Sequence, residues 1–309
     1  MNKTDEELLV LFLEHVKREG LVVNYVQITR EGKLSAEYCR IGKTRLQTWS
    51  LAKGVVSCAA GIAVDEGLVA LDEKIADIFP EYLPKEPSEL LRRITIDNLL
   101  TMSCGLEKPL FFGDDPEKYR AKDWIRTFFS APFAYEPGTH WQYSNFNTYM
   151  VSCAIERRAG CNLLEYLRNR LFEPIGIGNP EWTLCPMGHV YAANGLYLTI
   201  DELSAFGRLI LNQGTFDGRD IVPSAYMKKA TSRLIDNSCL RTEDNKAYSG
   251  YGYGYQFLMN PNDGFRSEGK FGQFCIAVPR SGTVVAVMSL DDKAYRIGTL
   301  LFEDIIGSL

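Results

Sequence analysis

Strand-like runs lie at both ends of this chain of 309 residues, and helical periodicity fills the segment between them. Near the start, residues 21–29 and 34–41 are rich in apolar residues and flank the turn signal at residues 30–33. The runs near the end of the chain are residues 252–259, 264–271, 274–278 and 283–290. Because short turns between consecutive strands favour antiparallel pairing, we predict one antiparallel sheet built from both ends of the chain.

Between the two ends, apolar residues recur at helical spacing, most clearly in residues 124–130 and 147–158. Residues 4–18 predict an amphipathic helix ahead of the first strand, and residues 201–212 predict a helix with Asp201 as its N-cap. The helical segment interrupts the predicted sheet, which is typical of a mixed α/β fold with a helical insertion.

A run of small apolar residues follows Ser50 and extends over residues 51–64, too long for an ordinary strand. It predicts a buried helix that is closed by Gly67, with Ser50 at its start and Lys53 one turn later on the same face. A serine hydroxyl becomes a good nucleophile when a base takes its proton, and burial lowers the pKa of a lysine enough to make it that base. A chance Ser-x-x-Lys is also expected in a chain of this length. A second one, residues 267–270, lies in a strand pattern where its two ends face opposite sides.

Two further stretches carry groups that suit a catalytic site. Tyr143 and Asn145 precede a predicted helix, where a phenol can transfer protons and an amide can bind a substrate carbonyl. Alternatively, Tyr143 packs on Trp141 and Asn145 caps the helix. Residues 265–273 form a glycine-punctuated strand, a pattern that often marks close approach of another backbone. An N–H of that strand and the N–H of Ser50 would then form an oxyanion hole.

Charge and composition narrow the possible partners and cofactors. The net charge is −5 without a basic block, so nucleic acid is not an expected partner. No apolar run reaches membrane-spanning length, and the acidic start of the chain lacks the basic region of a signal peptide. The eight scattered cysteines would allow a disulfide framework, but we expect reduced thiols in a cytoplasmic protein. The three histidines form no pair at ligand spacing, so we expect neither a metal nor a cofactor.

The order Ser-x-x-Lys, Tyr-x-Asn and a glycine-rich strand near the end resembles the penicillin-recognising serine hydrolases. Within them the chain is most similar to the class C β-lactamase-like branch, which includes esterases, D-amino-acid peptidases and nylon-oligomer hydrolases. Residues 96–106, 135–138 and 194–199 also match landmarks of that branch, so the resemblance spans nearly the whole chain.

The resemblance implies a five-stranded antiparallel sheet flanked by helices and a mostly helical subdomain, with the active site between them. We assign residues 1–62 and 190–309 to the sheet-containing domain and residues 63–189 to the subdomain.

The resemblance also implies a role for each residue of the motifs. Ser50 would be acylated by a small ester or amide, Lys53 would activate it, Tyr143 would transfer protons, and Asn145 would hold the acyl side chain. The expected function is therefore a serine hydrolase. A penicillin-binding or sensor-like protein of the same fold, with little turnover, is the alternative.

The chain departs from the resemblance at the third motif. Where related proteins have Lys or His, then Thr or Ser, then Gly, this chain has Ser267, Glu268 and Gly269. A register shifted by three would begin at Lys270 instead, but it would misalign the strand that follows. In either register the hydroxyl that binds a β-lactam carboxylate is missing, so we expect neutral esters, or amides bearing an amino group, as substrates. Together with Asn145, the predicted substrate-binding residues are Ser267, Glu268, Gly269 and Lys270.

Two other interpretations are open at this point. An α/β-hydrolase would need a nucleophile elbow, but residues 101–105 lack its first glycine and lie in a helical rather than a βαβ pattern. An aromatic cluster lines an acyl pocket or, as we favour, forms the core of the subdomain. Its members are Phe111, Phe112, Tyr119, Trp124, Phe128, Phe129 and Phe133.

Overall fold

The computed structural model describes residues 3–111, 120–261 and 263–309. Its strands are β1 (Val23–Arg30), β2 (Lys33–Cys39), β3 (Leu46–Gln47), β4 (Glu181–Trp182), β5 (Leu196–Leu198), β6 (Thr215–Phe216), β7 (Arg219–Asp220), β8 (Leu258–Met259), β9 (Phe265–Gly269), β10 (Gln273–Val278) and β11 (Thr283–Ser289). Its α-helices are α1 (Asp5–Arg18), α2 (Ala52–Asp65), α3 (Ile75–Ile78), α4 (Glu89–Arg93), α5 (Ile96–Leu100), α6 (Trp124–Phe129), α7 (Asn145–Ala159), α8 (Leu163–Leu167), α9 (Ile200–Leu211), α10 (Ser224–Ala230) and α11 (Ala294–Leu300).

The largest sheet in the described residues has the strand order β2-β1-β11-β10-β9-β8, and every neighbouring pair is antiparallel. Strands from the two ends of the chain pair directly, because β1 lies beside β11. The predicted mixed α/β fold with a large antiparallel sheet is confirmed. The sheet has six strands rather than the expected five, because Leu258 and Met259 add a short edge strand next to β9. The rest of the strand predicted at 252–259 is not extended, since Gly252 and Gln256 adopt positive φ angles of 126° and 63°.

Helices cover both faces of this sheet. Val285 and Val287 of β11 pack with residues of α1 and α11, whereas Val284 and Ala286 pack with α2 and α9 on the other face. The side chains of a strand alternate between the two faces of the sheet, so the residues of one buried strand pack into two hydrophobic cores. Helix α2 therefore lies between the sheet and the helical segment, and it is buried along nearly its whole length.

The chain enters α2 through a tight turn. Trp49 has a φ of 53°, which is rare for a residue with a side chain, and residues 49–51 form a 3-10 turn before α2 begins at Ala52. The buried helix predicted after Ser50 is thus confirmed, with Ser50 in the 3-10 turn rather than in the α-helix itself. Gly67, with a φ of 69°, follows the end of the helix as expected.

Two other helix starts differ from the sequence prediction. Helix α9 is capped by Thr199, whose side chain accepts from the Glu202 backbone, so the predicted cap at Asp201 is wrong. Thr199 has the extended backbone that a cap requires, whereas Asp201 already lies inside the helix. Helix α7 starts at Asn145, earlier than predicted, with Ser144 as its N-cap.

Four members of the aromatic cluster are buried in the large core around α2 and α7, as favoured above. These are Phe111, Trp124, Phe128 and Phe129, and Phe133 packs against them. Phe112 and Tyr119 lie outside the described residues. The eight cysteines all lie in the described ranges and are free thiols. Within those ranges, none of the helices has both the length and the apolar composition needed to cross a membrane.

Candidate active site

A small three-stranded sheet joins the segment before Ser50 to a loop from the second half of the chain. Strand β5 lies between β3 and β4, and both the backbone N–H and the hydroxyl of Thr48 donate to the Leu196 carbonyl, at 2.8 and 2.9 Å. Because the backbone around Leu196 is held in this way, the carbonyl of nearby Ala193 is fixed relative to Ser50.

Lys53 is the buried centre of the site, with only 2% of its surface exposed. Its Nζ lies 3.0 Å from Ser50 Oγ, 2.9 Å from Asn145 Oδ1 and 2.8 Å from the Ala193 carbonyl oxygen. These three partners are uncharged. Burial therefore lowers the pKa of Lys53 well below its usual value, since desolvation disfavours the ammonium form.

The neutral form of Lys53 matches its three partners. A neutral amine has two N–H donors and one lone pair, and the two carbonyl-type oxygens of Asn145 and Ala193 can only accept. Asn145 is held in this orientation because its Nδ2 donates to the Phe111 carbonyl at 2.8 Å. In that form, with both N–H groups engaged, the lone pair of Lys53 would face the Ser50 hydroxyl, as a general base requires.

Tyr143 lies over the same pair of residues. Its ring centroid is 4.8 Å from Lys53 Nζ. Burial raises the pKa of Tyr143, a hydrogen bond with Ser50 lowers it, and the charge of Glu268 raises it further, so that the net change is upward. The phenol therefore keeps its proton at neutral pH.

Strand β9 passes close to Ser50 because Gly269 has no side chain. A Cβ atom at this position would overlap the Thr48 carbonyl and lie 3.2 Å from the Ser50 backbone nitrogen. The backbone of β9 and the N–H of Ser50 thus border one space. Lys270 follows in the exposed turn, with its Nζ 4.6 Å from the Phe271 ring centroid.

Alternation along β9 sends neighbouring side chains to opposite faces. Ser267 is buried against α2, and a Cβ atom at Gly54 would overlap its hydroxyl. Arg266 and Glu268 lie on the other face, where Arg266 Nε donates to Glu268 Oε2 at 2.7 Å. Strand alternation puts residues two positions apart on the same face. The structure therefore brings Ser267, Glu268 and Gly269 into the strand beside Ser50 and leaves Lys270 beyond its end.

Some groups of the site carry no signal that a sequence pattern reveals. The Ala193 and Phe111 carbonyls belong to the backbone, which every residue has. Gly54 could have been noticed, since a glycine next to Lys53 in a helix predicts close approach of another element. In the described ranges, no three His, Cys, Asp or Glu side chains converge as a metal site would require.

Comparison with known proteins places this site in a family. A model of the family described as Beta-lactamase matches residues 22–300. Penicillin-binding protein 4 of Amycolatopsis lactamdurans is 24% identical over 85% of this chain and 76% of its own length. A lovastatin esterase of Penicillium rubens is 29% identical, and a D-aminopeptidase of Brucella anthropi is 27% identical. These two matches cover 43% and 59% of this chain but only 38% and 37% of the relatives' own lengths.

Solved structures with the same fold cover almost the entire chain. A putative beta-lactamase from Bacteroides dorei superposes with a TM-score of 0.82 at 16% identity, over 99% of this chain and 98% of its own. A putative 6-aminohexanoate-dimer hydrolase from Bacillus anthracis superposes with a TM-score of 0.77 at 19% identity, over 95% of this chain and 81% of its own. The match to the family model covers most of the sequence, and the resemblance inferred from the motifs is confirmed: the chain belongs to the beta-lactamase family.

Proposed function

We propose that this protein is a serine hydrolase that cleaves an ester or amide of a small molecule through an acyl-enzyme. The observation that carries the proposal is the buried Lys53, whose Nζ lies 3.0 Å from Ser50 Oγ and whose pKa is lowered by burial. Family membership and relatives named as an esterase and a D-aminopeptidase support this chemistry.

In this mechanism Lys53 accepts the Ser50 proton as Oγ attacks the substrate carbonyl. The N–H groups of Ser50 and β9 stabilise the resulting oxyanion. Tyr143 donates its proton to the leaving alcohol or amine, the carbonyl–heteroatom bond breaks, and the phenol recovers a proton from Lys53. Water then attacks the acyl-enzyme by the same proton path in reverse, which releases the acid and restores Ser50.

Asn145 has a positioning role in this proposal rather than the acyl-binding role that the resemblance implied. Its amide oxygen is 2.9 Å from Lys53 Nζ, and its amide nitrogen is bound to the Phe111 carbonyl. Both ends of the amide are thus engaged inside the protein. Asn145 would act by holding Lys53 with its lone pair toward Ser50.

We also propose that the site lies between two parts of the chain, residues 1–62 with 190–309 and residues 63–189. Ser50 and Lys53 come from the first part. Tyr143 and Asn145 come from the second part and contact Lys53. A substrate carbonyl bound at Ser50 would therefore meet groups from both parts.

Labelling with a fluorophosphonate probe, followed by mass spectrometry and an ester turnover assay, tests the proposed nucleophile. We expect Ser50→Ala to lose labelling and at least a thousandfold in turnover, since the nucleophile acts as a unit with its base. Ser103→Ala is the control, because the hydroxyl of Ser103 is buried and bonds Thr101 rather than Lys53. Labelling that persists in Ser50→Ala would contradict the proposal. Labelling of Ser50 without turnover would favour the penicillin-binding or sensor-like alternative.

A further inference from the structure

The Arg266–Glu268 pair presents only its negative end to the outside of β9. The Arg266 side chain is completely buried, whereas 31% of the Glu268 side chain is exposed. Arg266 Nη1 donates to the Tyr248 carbonyl at 2.9 Å and to Asn260 Oδ1 at 2.7 Å, so the guanidinium is fixed inside. A ligand can therefore approach the carboxylate but not the cation that holds it.

This carboxylate lies at the edge of the candidate site. Glu268 directly precedes Gly269, whose backbone lies against the Ser50 nitrogen. The charge of Glu268 contributes to the raised pKa of both Tyr143 and Tyr253, so it acts across the space in front of β9. Because Tyr143 is the group that would protonate the leaving alcohol or amine, that leaving group would lie within reach of the charge of Glu268.

The aromatic rings nearby suit a cation rather than an anion. The rings of Trp141 and Tyr253 are buried and lie next to Tyr143, with the centroid of Trp141 6.1 Å from Tyr143 and 5.6 Å from Tyr253, so Tyr143 is the partly exposed ring of the three. Aromatic faces attract cations, and a carboxylate next to them adds charge complementarity. An anionic leaving group in the same place would be repelled.

We propose that Glu268 selects substrates whose leaving group carries a positive charge, such as an ammonium group, and disfavours those with a carboxylate there. The inference rests on the proposed serine hydrolase function and adds a substrate class to it. Arg266 acts through Glu268, because its Nε hydrogen bond fixes the position of the carboxylate.

Three acetate esters of matched shape test the inference. They carry a meta-trimethylammonio-phenyl, a meta-tert-butylphenyl or a meta-carboxyphenyl leaving group. The first two have the same shape, but the ammonio group also makes its phenol a better leaving group, so selection by Glu268 is measured by how a variant changes the ratios. For the wild-type protein we expect kcat/KM to fall in the order cationic, neutral, anionic. Ratios of kcat/KM within one sample do not depend on the active fraction, so they remain valid if a variant is partly misfolded.

In Glu268→Gln we expect the cationic-to-neutral ratio to fall roughly five- to tenfold and the anionic-to-neutral ratio to rise. The glutamine oxygen can still accept the Arg266 hydrogen bond, so the change is mainly in charge. Glu268→Asp keeps the charge and should keep the cationic preference. Glu14→Gln is the matched control, because it removes the same charge from an exposed position on α1.

The two proposals fail in different ways. If all three esters are turned over with ratios that Glu268→Gln leaves unchanged, the selection by Glu268 is wrong and the hydrolase remains. If no ester is cleaved in a Ser50-dependent reaction, the hydrolase is wrong and the inference falls with it.

Discussion

Lys53 links the stability of the protein to pH, because folding buries it among uncharged groups. An unfolded lysine has a pKa of about 10.4, and burial lowers the pKa in the folded protein. Between these two pKa values the unfolded chain binds one more proton than the folded chain. Stability should therefore rise with pH in that window by about 1.4 kcal/mol per pH unit, and fall as pH drops toward the folded pKa.

We expect Lys53→Met to lose this pH dependence. The difference in free energy of unfolding between wild type and variant should shift in favour of the wild type as pH rises from about 7 to 10. Urea unfolding across this range measures the slope, which is independent of any constant cost of the substitution. Lys33→Met, at an exposed position, is the control. A difference that does not change with pH would mean that Lys53 is charged in the folded protein.

Asn145→Asp tests the positioning role of Asn145. The new carboxylate would lie about 3 Å from Lys53 Nζ and should raise the lysine pKa by at least about one unit. The acid limb of the kcat/KM profile should then move to higher pH, because less of the base is neutral. Asn145→Leu removes the hydrogen bond without adding charge, so it should lower the rate without this upward movement. An unmoved acid limb in Asn145→Asp would exclude Lys53 as the titrating base.

At the residue scale, the sequence predicted the side chains with distinctive chemistry but not how each one is used. Ser50 and Lys53 could be predicted because helical spacing places them on one face. Asn145 was predicted to hold the acyl side chain, and this stays a prediction; the sequence did not predict its contacts with Lys53 and the Phe111 carbonyl. The Ala193 carbonyl was not predicted, since only the folded backbone determines which carbonyl reaches Nζ.

At the scale of elements, the contact between α2 and β9 depends on Gly54. A Cβ atom there would overlap the Ser267 hydroxyl and lie 3.1 Å from Phe257 and 3.3 Å from Phe206. Gly54 has no side chain and Ser267 has a small one, so α2 and β9 can approach each other closely. The hydroxyl of Ser267 has no hydrogen-bond partner among the described residues, which leaves packing as its observed role.

Gly54→Ala therefore tests this contact, because the substitution either raises or lowers the stability of the protein. Alanine favours a helix over glycine by about 1 kcal/mol, but overpacking costs about 1–3 kcal/mol. We expect net destabilisation, measured by chemical denaturation, and partial recovery in Gly54→Ala/Ser267→Gly. Comparison with Ser267→Gly alone completes the double-mutant cycle. A stabilised Gly54→Ala protein would show that the helix and strand have room to spare.

Element types were easier to predict than their ends. The apolar run after Ser50 predicted α2 because its length exceeds that of an ordinary strand. The start of α9 was misassigned because Thr199 and Asp201 are both good caps, and only backbone geometry distinguishes them. The predicted strand at 252–259 is reduced to two residues because the backbone turns at Gly252 and Gln256.

At the scale of the whole molecule, the central sheet joins the two ends of the chain. The Val22 N–H donates to Asp291 at 2.7 Å, a bond between residues 269 positions apart. Strand β9, which lies against the Ser50 backbone, also comes from the last part of the chain. The fold class was predictable because strand patterns occur at both ends, whereas only Leu258 and Met259 of the strand predicted at 252–259 join the sheet as its sixth strand.

This pairing of distant segments has a consequence for the order of synthesis. A chain that has left the ribosome only as far as α9 already contains Ser50 and Lys53, but it lacks β9 and the strands that hold it. Contacts between segments so far apart form late, since closing a long loop is slow. A growing chain therefore carries Ser50 and Lys53 before it contains the strand that lies against the Ser50 backbone.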